Sequence, residues 1–190
     1  IRVLRTPKDI LDLVRHYADF AKASHIVYAE VHFTPLPLIN ERMSYPAMME
    51  AVQAGVEKAA TDGPQLRILL DSVRQLGPEH CAQTLENHLQ HPVPCVVGIG
   101  IGGDELSYPS EVFTNTFERA RDCGLHTVCH SGEAGGATEM WSTLKALRPE
   151  RIMHGIRAVE DESLVRYLAE EGISLDICPS SNLGTGVVRS

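Results

Sequence analysis

Ile26-Val27-Tyr28-Ala29-Glu30-Val31-His32-Phe33 is the run on which the architecture turns. It is largely apolar, is stopped by Pro35, and reads as a strand. Alternation at period two puts Tyr28, Glu30 and His32 on one face and Val27, Ala29, Val31 and Phe33 on the other. A strand of an open doubly wound sheet is usually apolar on both faces, because helices cover both. A face of tyrosine, glutamate and histidine fits the inside of a barrel near its mouth. The strand therefore predicts a TIM-like (β/α) barrel of the α/β class.

Outward from this strand the chain alternates strand and helix. Thr6-Pro7-Lys8-Asp9 is a helix start, with Thr6 as N-cap, Pro7 in the first turn and Asp9 completing a capping box. Ile10, Leu13, Val14, Tyr17, Phe20 and Ala21 follow at helical spacing. Further helices are predicted at about 47–60, 78–89, 110–122, 137–147 and 161–171, with Gly124 and Gly172 closing two of them. Further strands are predicted at 66–71, 95–101, 125–130, 151–154 and 173–178. Six β/α repeats without a linker or low-complexity segment imply right-handed crossovers, a parallel sheet and a single domain over 1–190. A complete barrel has eight units and about 250 residues, and this chain is short of that.

Composition narrows the partners. The 190 residues are 43% hydrophobic, enough to bury a core and in keeping with a soluble protein. The net charge is −8 and no run of Lys or Arg forms a basic stripe, so nucleic acid is not an expected partner. No stretch approaches the roughly 18 apolar residues of a membrane span. The segment Ile1-Arg2-Val3-Leu4-Arg5-Thr6 holds no apolar signal-peptide core. Cys81, Cys95, Cys123, Cys129 and Cys178 are odd in number and lack C-x-x-C spacing. They read as free thiols, mostly small core residues, of a reducing cytoplasm.

The chemistry concentrates in His130-Ser131-Gly132-Glu133 and His154-Gly155. A histidine and a carboxylate lie three positions apart at the end of the apolar strand Leu125-His126-Thr127-Val128-Cys129, and a second histidine ends the next strand in the same way. In a parallel α/β protein, ligands bind at the carboxyl ends of the strands. Two imidazoles and one carboxylate around one mouth suit metal-assisted hydrolysis. A single histidine at a strand end is ordinarily a satisfied polar group. Recurrence at matching points of successive strands, beside a glutamate, points instead to a site. Gly98-Ile99-Gly100-Ile101-Gly102-Gly103 matches the spacing G-x-G-x-x-G, but Asp104 and Glu105 follow at once, then Tyr108-Pro109. A dinucleotide fingerprint opens directly into a helix whose N-terminus takes the pyrophosphate. The glycines fit better as the place where a backbone N–H comes close to a ligand.

Taken in order, Tyr28-Ala29-Glu30 with Pro35, Gly102-Gly103-Asp104-Glu105, His130-Ser131-Gly132-Glu133, His154-Gly155 and Cys178-Pro179-Ser180-Ser181-Asn182 resemble the adenosine deaminase family, from about Leu4 to Val188. The resemblance implies a zinc-dependent (β/α) barrel that hydrolyses the 6-amino group of a purine, adenosine to inosine plus ammonia. It matches His130 to a zinc ligand and Glu133 to the acid that protonates purine N1. It matches His154 to the histidine that orients the zinc-bound hydroxide, and Gly103 to the glycine whose backbone N–H meets the purine ring.

The departures bear on the expected activity. The family carries an H-x-H pair on the first strand and an aspartate after the eighth, and both supply zinc ligands. By that pattern the six strands here are the second to the seventh, the domain is incomplete at both ends, and the zinc site of this chain is incomplete. The strands near 26–33 and 173–178 would then be open edges through which the piece could self-associate. Family members commonly have an arginine where this chain has His32 and an aspartate where it has Gly100. Adenine or a larger 6-aminopurine nucleoside such as aminodeoxyfutalosine therefore stands as an alternative substrate. A catalytically inactive piece of the fold is the second alternative.

Overall fold

The structure, a computed structural model, describes residues 3–188. Ile1 and Arg2, the start of the segment read for a signal sequence, and the last two residues of the 1–190 span lie outside the described residues. The strands are β1 (Tyr28–Phe33), β2 (Gln65–Val73), β3 (Val96–Gly102), β4 (His126–Ser131), β5 (Arg151–His154) and β6 (Ser174–Asp176). The helices are α1 (Pro7–Ala23), α2 (Tyr45–Ala59), α3 (Gly77–Gln90), α4 (Thr114–Asp122), α5 (Ala137–Leu147), α6 (Glu162–Glu170) and the short α7 (Pro179–Gly184). Strand order is the chain order. The pairings β1–β2, β3–β4, β4–β5 and β5–β6 are parallel, as crossovers through helices require.

Local chemistry explains most boundaries. At α1 the Thr6 side chain caps Asp9 N–H, and Asp9 Oδ2 accepts from Thr6 N–H at 2.8 Å, the reciprocal box expected from the sequence. Helix α5 and strand β5 have the expected limits. Residues 110–113 form a 3₁₀ turn ahead of α4 rather than its first α turn. Strand β1 begins at Tyr28, two residues later than expected, and Val27 is exposed. Strand β6 holds three residues where six were expected. In β3, Gly98, Gly100 and Gly102 are strand residues, Gly103 turns with φ +102°, and helical backbone resumes only at Ser110. No helix N-terminus follows the glycines to receive a pyrophosphate.

Contacts divide the chain into two compact units: residues up to Asp71 with Gln83–Val97, and Ser72–Ala82 with the residues from Gly98 onward. In the first unit α1 packs against α2, burying Ile10, Ala18 and Ala21 from one side and Met48, Met49, Val52 and Val56 from the other. Gly55 permits that approach, since a Cβ there would fall 2.7 Å from Val14 Cγ1. Gly55→Ala is expected to lower Tm. The ~1 kcal/mol that alanine adds in helix propensity is outweighed by a clash with a stiff β-branched side chain, about 1–3 kcal/mol for overpacking. Calorimetry of Gly55→Ala beside Val14→Ala/Gly55→Ala checks this, because the double variant removes the clashing methyls and recovers much of the loss.

In the second unit Met140, Leu144, Ile152, Ala158, Leu164 and Leu168 form the core that α5 and α6 share with β5. Asp161 caps α6 and also accepts from Trp141 Nε1 at 2.9 Å, which ties α6 to α5. Cys81, Cys95 and Cys129 are buried and outside any disulfide, Cys178 is half-buried and Cys123 exposed. No described helix is long and apolar enough to cross a membrane.

Candidate active site

The register of β4 on β5 sets Ser131 beside His154, which brings the two strand-end histidines together. The His130 and His154 rings lie 5.4 Å apart between centroids, at 50°. A Cβ at Gly102 would stand 3.2 Å from His130 Cδ2, so a glycine at the end of β3 leaves room for that imidazole.

His154 is 5% exposed and has φ +69°, a left-handed conformation that β-carbon sterics disfavour. Strain of this kind, about 1–3 kcal/mol, persists where the surroundings over-determine the residue. Here His154 Nδ1 lies 3.1 Å from Asn182 Oδ1 of α7, and Nε2 lies 3.5 Å from Glu133 Oε2. Asn182 is fully buried, so its contact with Nδ1 fixes the orientation of the ring and leaves Nε2 turned toward Glu133. An imidazole nitrogen and a carboxyl group thus face each other at the ends of neighbouring strands.

Around them the turn after β4 is held by its backbone. Glu105 accepts from three successive N–H groups, those of Gly132, Glu133 and Ala134. Arg74, 1% exposed, donates to the carbonyls of His130 and Tyr108 and to Ser110 Oγ. Burial pushes its guanidinium pKa down from the ordinary arginine value. At Gly103 the +102° φ calls for glycine, and a Cβ there would displace the end of the Gln75 side chain.

In the first unit His32 Nδ1 lies 3.3 Å from Asp71 Oδ1, and Tyr28 donates to Glu30 Oε1 at 2.6 Å. The polar face read from β1 is thus occupied by paired groups.

The structure brings His130, Glu133 and His154 together. Gly103 stands in the turn that follows β3. Sequence reading did not assign roles to Asn182, Glu105 or Arg74. The first two sit inside quoted motifs, which was the available signal. Arg74 had none, because a buried guanidinium is recognisable only from the carbonyls it meets.

Zinc favours imidazole, and catalytic zinc sites take three protein ligands. His154 is engaged by Asn182 through one nitrogen and turned toward Glu133 with the other. The His130 imidazole beside it fits a zinc ligand, one corner of such a site.

Six β/α units in chain order define the class as part of a TIM-like (β/α) barrel, a fold that binds its ligands at the carboxyl ends of the strands. Residues 1–190 match the model of the adenosine deaminase family, and the chain belongs to that family. It is 36% identical to an adenine deaminase of Sinorhizobium medicae over 97% of this chain and 57% of that protein. It is 38% identical to an adenosine deaminase of Serratia proteamaculans over 86% of the chain and 49% of that protein. It is 37% identical to an aminodeoxyfutalosine deaminase of Acidothermus cellulolyticus over 98% of the chain and 55% of that protein. The chain thus spans about half the length of these curated relatives. Among solved structures, an adenine deaminase from Arthrobacter aurescens superposes with TM-score 0.92 at 29% identity, over 98% of this chain and 57% of that one. An amidohydrolase of Burkholderia ambifaria with bound zinc superposes with TM-score 0.89 at 25% identity, over 94% and 50%.

Proposed function

We propose that the protein carrying this chain hydrolyses the exocyclic 6-amino group of a purine nucleoside, adenosine to inosine plus ammonia, at a zinc site to which His130 contributes. The observation that carries the reading is the facing pair of Glu133 Oε2 and His154 Nε2 at 3.5 Å, with the His130 ring next to His154. When bound, zinc supplies a water whose pKa is lowered to about 7. The residues do the rest. Addition of water at C6 pushes an electron pair onto N1, and Glu133 delivers a proton there. His154, its Nδ1 fixed by Asn182, points Nε2 at the attacking water and holds its orientation. The Gly103 N–H meets the purine ring. Collapse of the adduct turns the C6 hydroxyl into a carbonyl and breaks the C6–N bond. The proton lost by the attacking water passes through His154 to the amino group, which leaves as ammonia, and the hydroxyl proton restores Glu133. Buried thiols fit a reducing compartment, and the cytoplasm is the proposed location.

A second substrate reading has its own support. His32, paired with Asp71, and Gly100 stand where adenosine deaminases commonly carry arginine and aspartate, and the relatives named for three different 6-aminopurines are equally similar, at 36–38% identity. Adenine or aminodeoxyfutalosine is the alternative. Ammonia release by the zinc-loaded full protein, tested with adenosine, adenine and aminodeoxyfutalosine, decides between them. One of the three is expected to exceed the others in kcat/KM by at least about 10²-fold, since a site built to pair polar groups rejects analogues lacking them. No ammonia from any of the three would overturn the reading.

A further inference from the structure

We infer that Glu105 is the positioning residue of Glu133, fixing the turn that carries the proposed N1 acid; the inference rests on the deaminase reading above. Glu105 is 6% exposed. Its Oε2 accepts from Gly132 N–H at 2.7 Å, and its Oε1 accepts from Glu133 N–H at 3.0 Å and Ala134 N–H at 3.2 Å. Three successive N–H groups converging on one anion form a nest, and charge-assisted hydrogen bonds are about twice as strong as neutral ones. The carbonyls of the same segment meet cations: Arg74 Nη2 reaches His130 O at 3.2 Å and Arg157 Nη1 reaches Ala134 O at 2.8 Å. Donors of the turn therefore face a carboxylate while acceptors at its two ends face guanidinium groups.

The turn closes tightly on Glu105. Gly132 has φ +72°, and a Cβ on Gly135 would lie 2.8 Å from Glu105 Oε2. The neighbouring Asp104 differs in kind, since it is half-buried and caps the N–H groups of Leu106 and Ser107 in its own loop. A buried carboxylate is costly unless its oxygens are satisfied. Glu105 directs both oxygens to the residue bearing the acid and its two neighbours. It acts through the backbone of Glu133 and has no role of its own toward the purine.

The test uses the full protein with Glu105→Gln and Glu105→Asp, reading amide hydrogen exchange, zinc content and steady-state kinetics. An amide side chain has one acceptor oxygen and turns N–H groups toward N–H groups. In E105Q the amides of Gly132, Glu133 and Ala134 are therefore expected to exchange at least about tenfold faster, while those of Val128, Cys129 and Leu144 keep their rates. The kcat is expected to fall at least about tenfold, within the ~10²-fold that a 1 Å misplacement can cost, with KM and zinc content unchanged. E105D keeps the charge and recovers part of both, and it carries the test alone if E105Q does not fold. Unchanged exchange and kcat in folded E105Q would overturn the inference, as would exchange rising equally through β4 and α5 with loss of zinc. A wild-type protein inactive on every purine, in which E105Q still releases the three amides, would overturn the deaminase reading and leave the clamp standing.

Discussion

Glu133→Gln is expected to lower kcat by at least about 10²-fold, the scale of lost general acid catalysis, while zinc content stays at the wild-type value. Glutamine keeps the size and hydrogen-bonding reach of the side chain, but its amide has no proton to give to N1. The backbone bonds of Gly132, Glu133 and Ala134 to Glu105 do not involve the substituted group, so the turn keeps its shape. The contact with His154 Nε2 changes from carboxyl to amide, and that position lies outside the residues proposed to hold metal. The variant should therefore separate proton delivery from site assembly. Turnover near the wild-type value would remove Glu133 from the mechanism.

His130→Ala and His154→Ala should part company in metal analysis. His130→Ala is expected to lose most of the bound zinc and with it the activity, because a catalytic site of three protein ligands rarely survives the loss of one. His154→Ala is expected to keep its zinc and lose rate by at least about 10²-fold, as a group that orients the reacting water does. The structural basis is the engagement of His154 on both sides, by Asn182 Oδ1 at 3.1 Å and Glu133 Oε2 at 3.5 Å. Asn182→Ala offers a milder version, because it removes the partner that holds Nδ1 and the ring orientation. Equal zinc loss in the two histidine variants would place His154 among the ligands and overturn the proposed division of roles.

The β/α alternation was legible because each buried strand of a parallel sheet is a short apolar run and each helix repeats its apolar face at 3.6 residues. The capping box at Thr6 and Asp9 is local, involves residues three apart, and therefore appears in the sequence as it does in the structure. Strand ends were less legible. Val27 and Ile177 are apolar and alternate correctly, yet both are exposed beyond the ends of their strands, because pairing with the neighbouring strand sets where a strand stops. Helix α7 escaped the periodicity altogether, its six residues being too few to repeat a face.

The site divides along the same line. Sequence alone determined the residue types and their recurrence at strand ends, His130 with Glu133 on one and His154 on the next, because strand ends are marked locally by where an apolar run stops. Tertiary structure alone decided how each is held. Asn182 lies 28 residues from His154, Glu105 lies 27 to 29 from the amides it binds, and Arg74 lies 56 from the carbonyl of His130. No periodicity spans such separations. A hydrogen bond between distant residues exists only once the strands have paired and buried both partners, and only that burial makes its satisfaction obligatory.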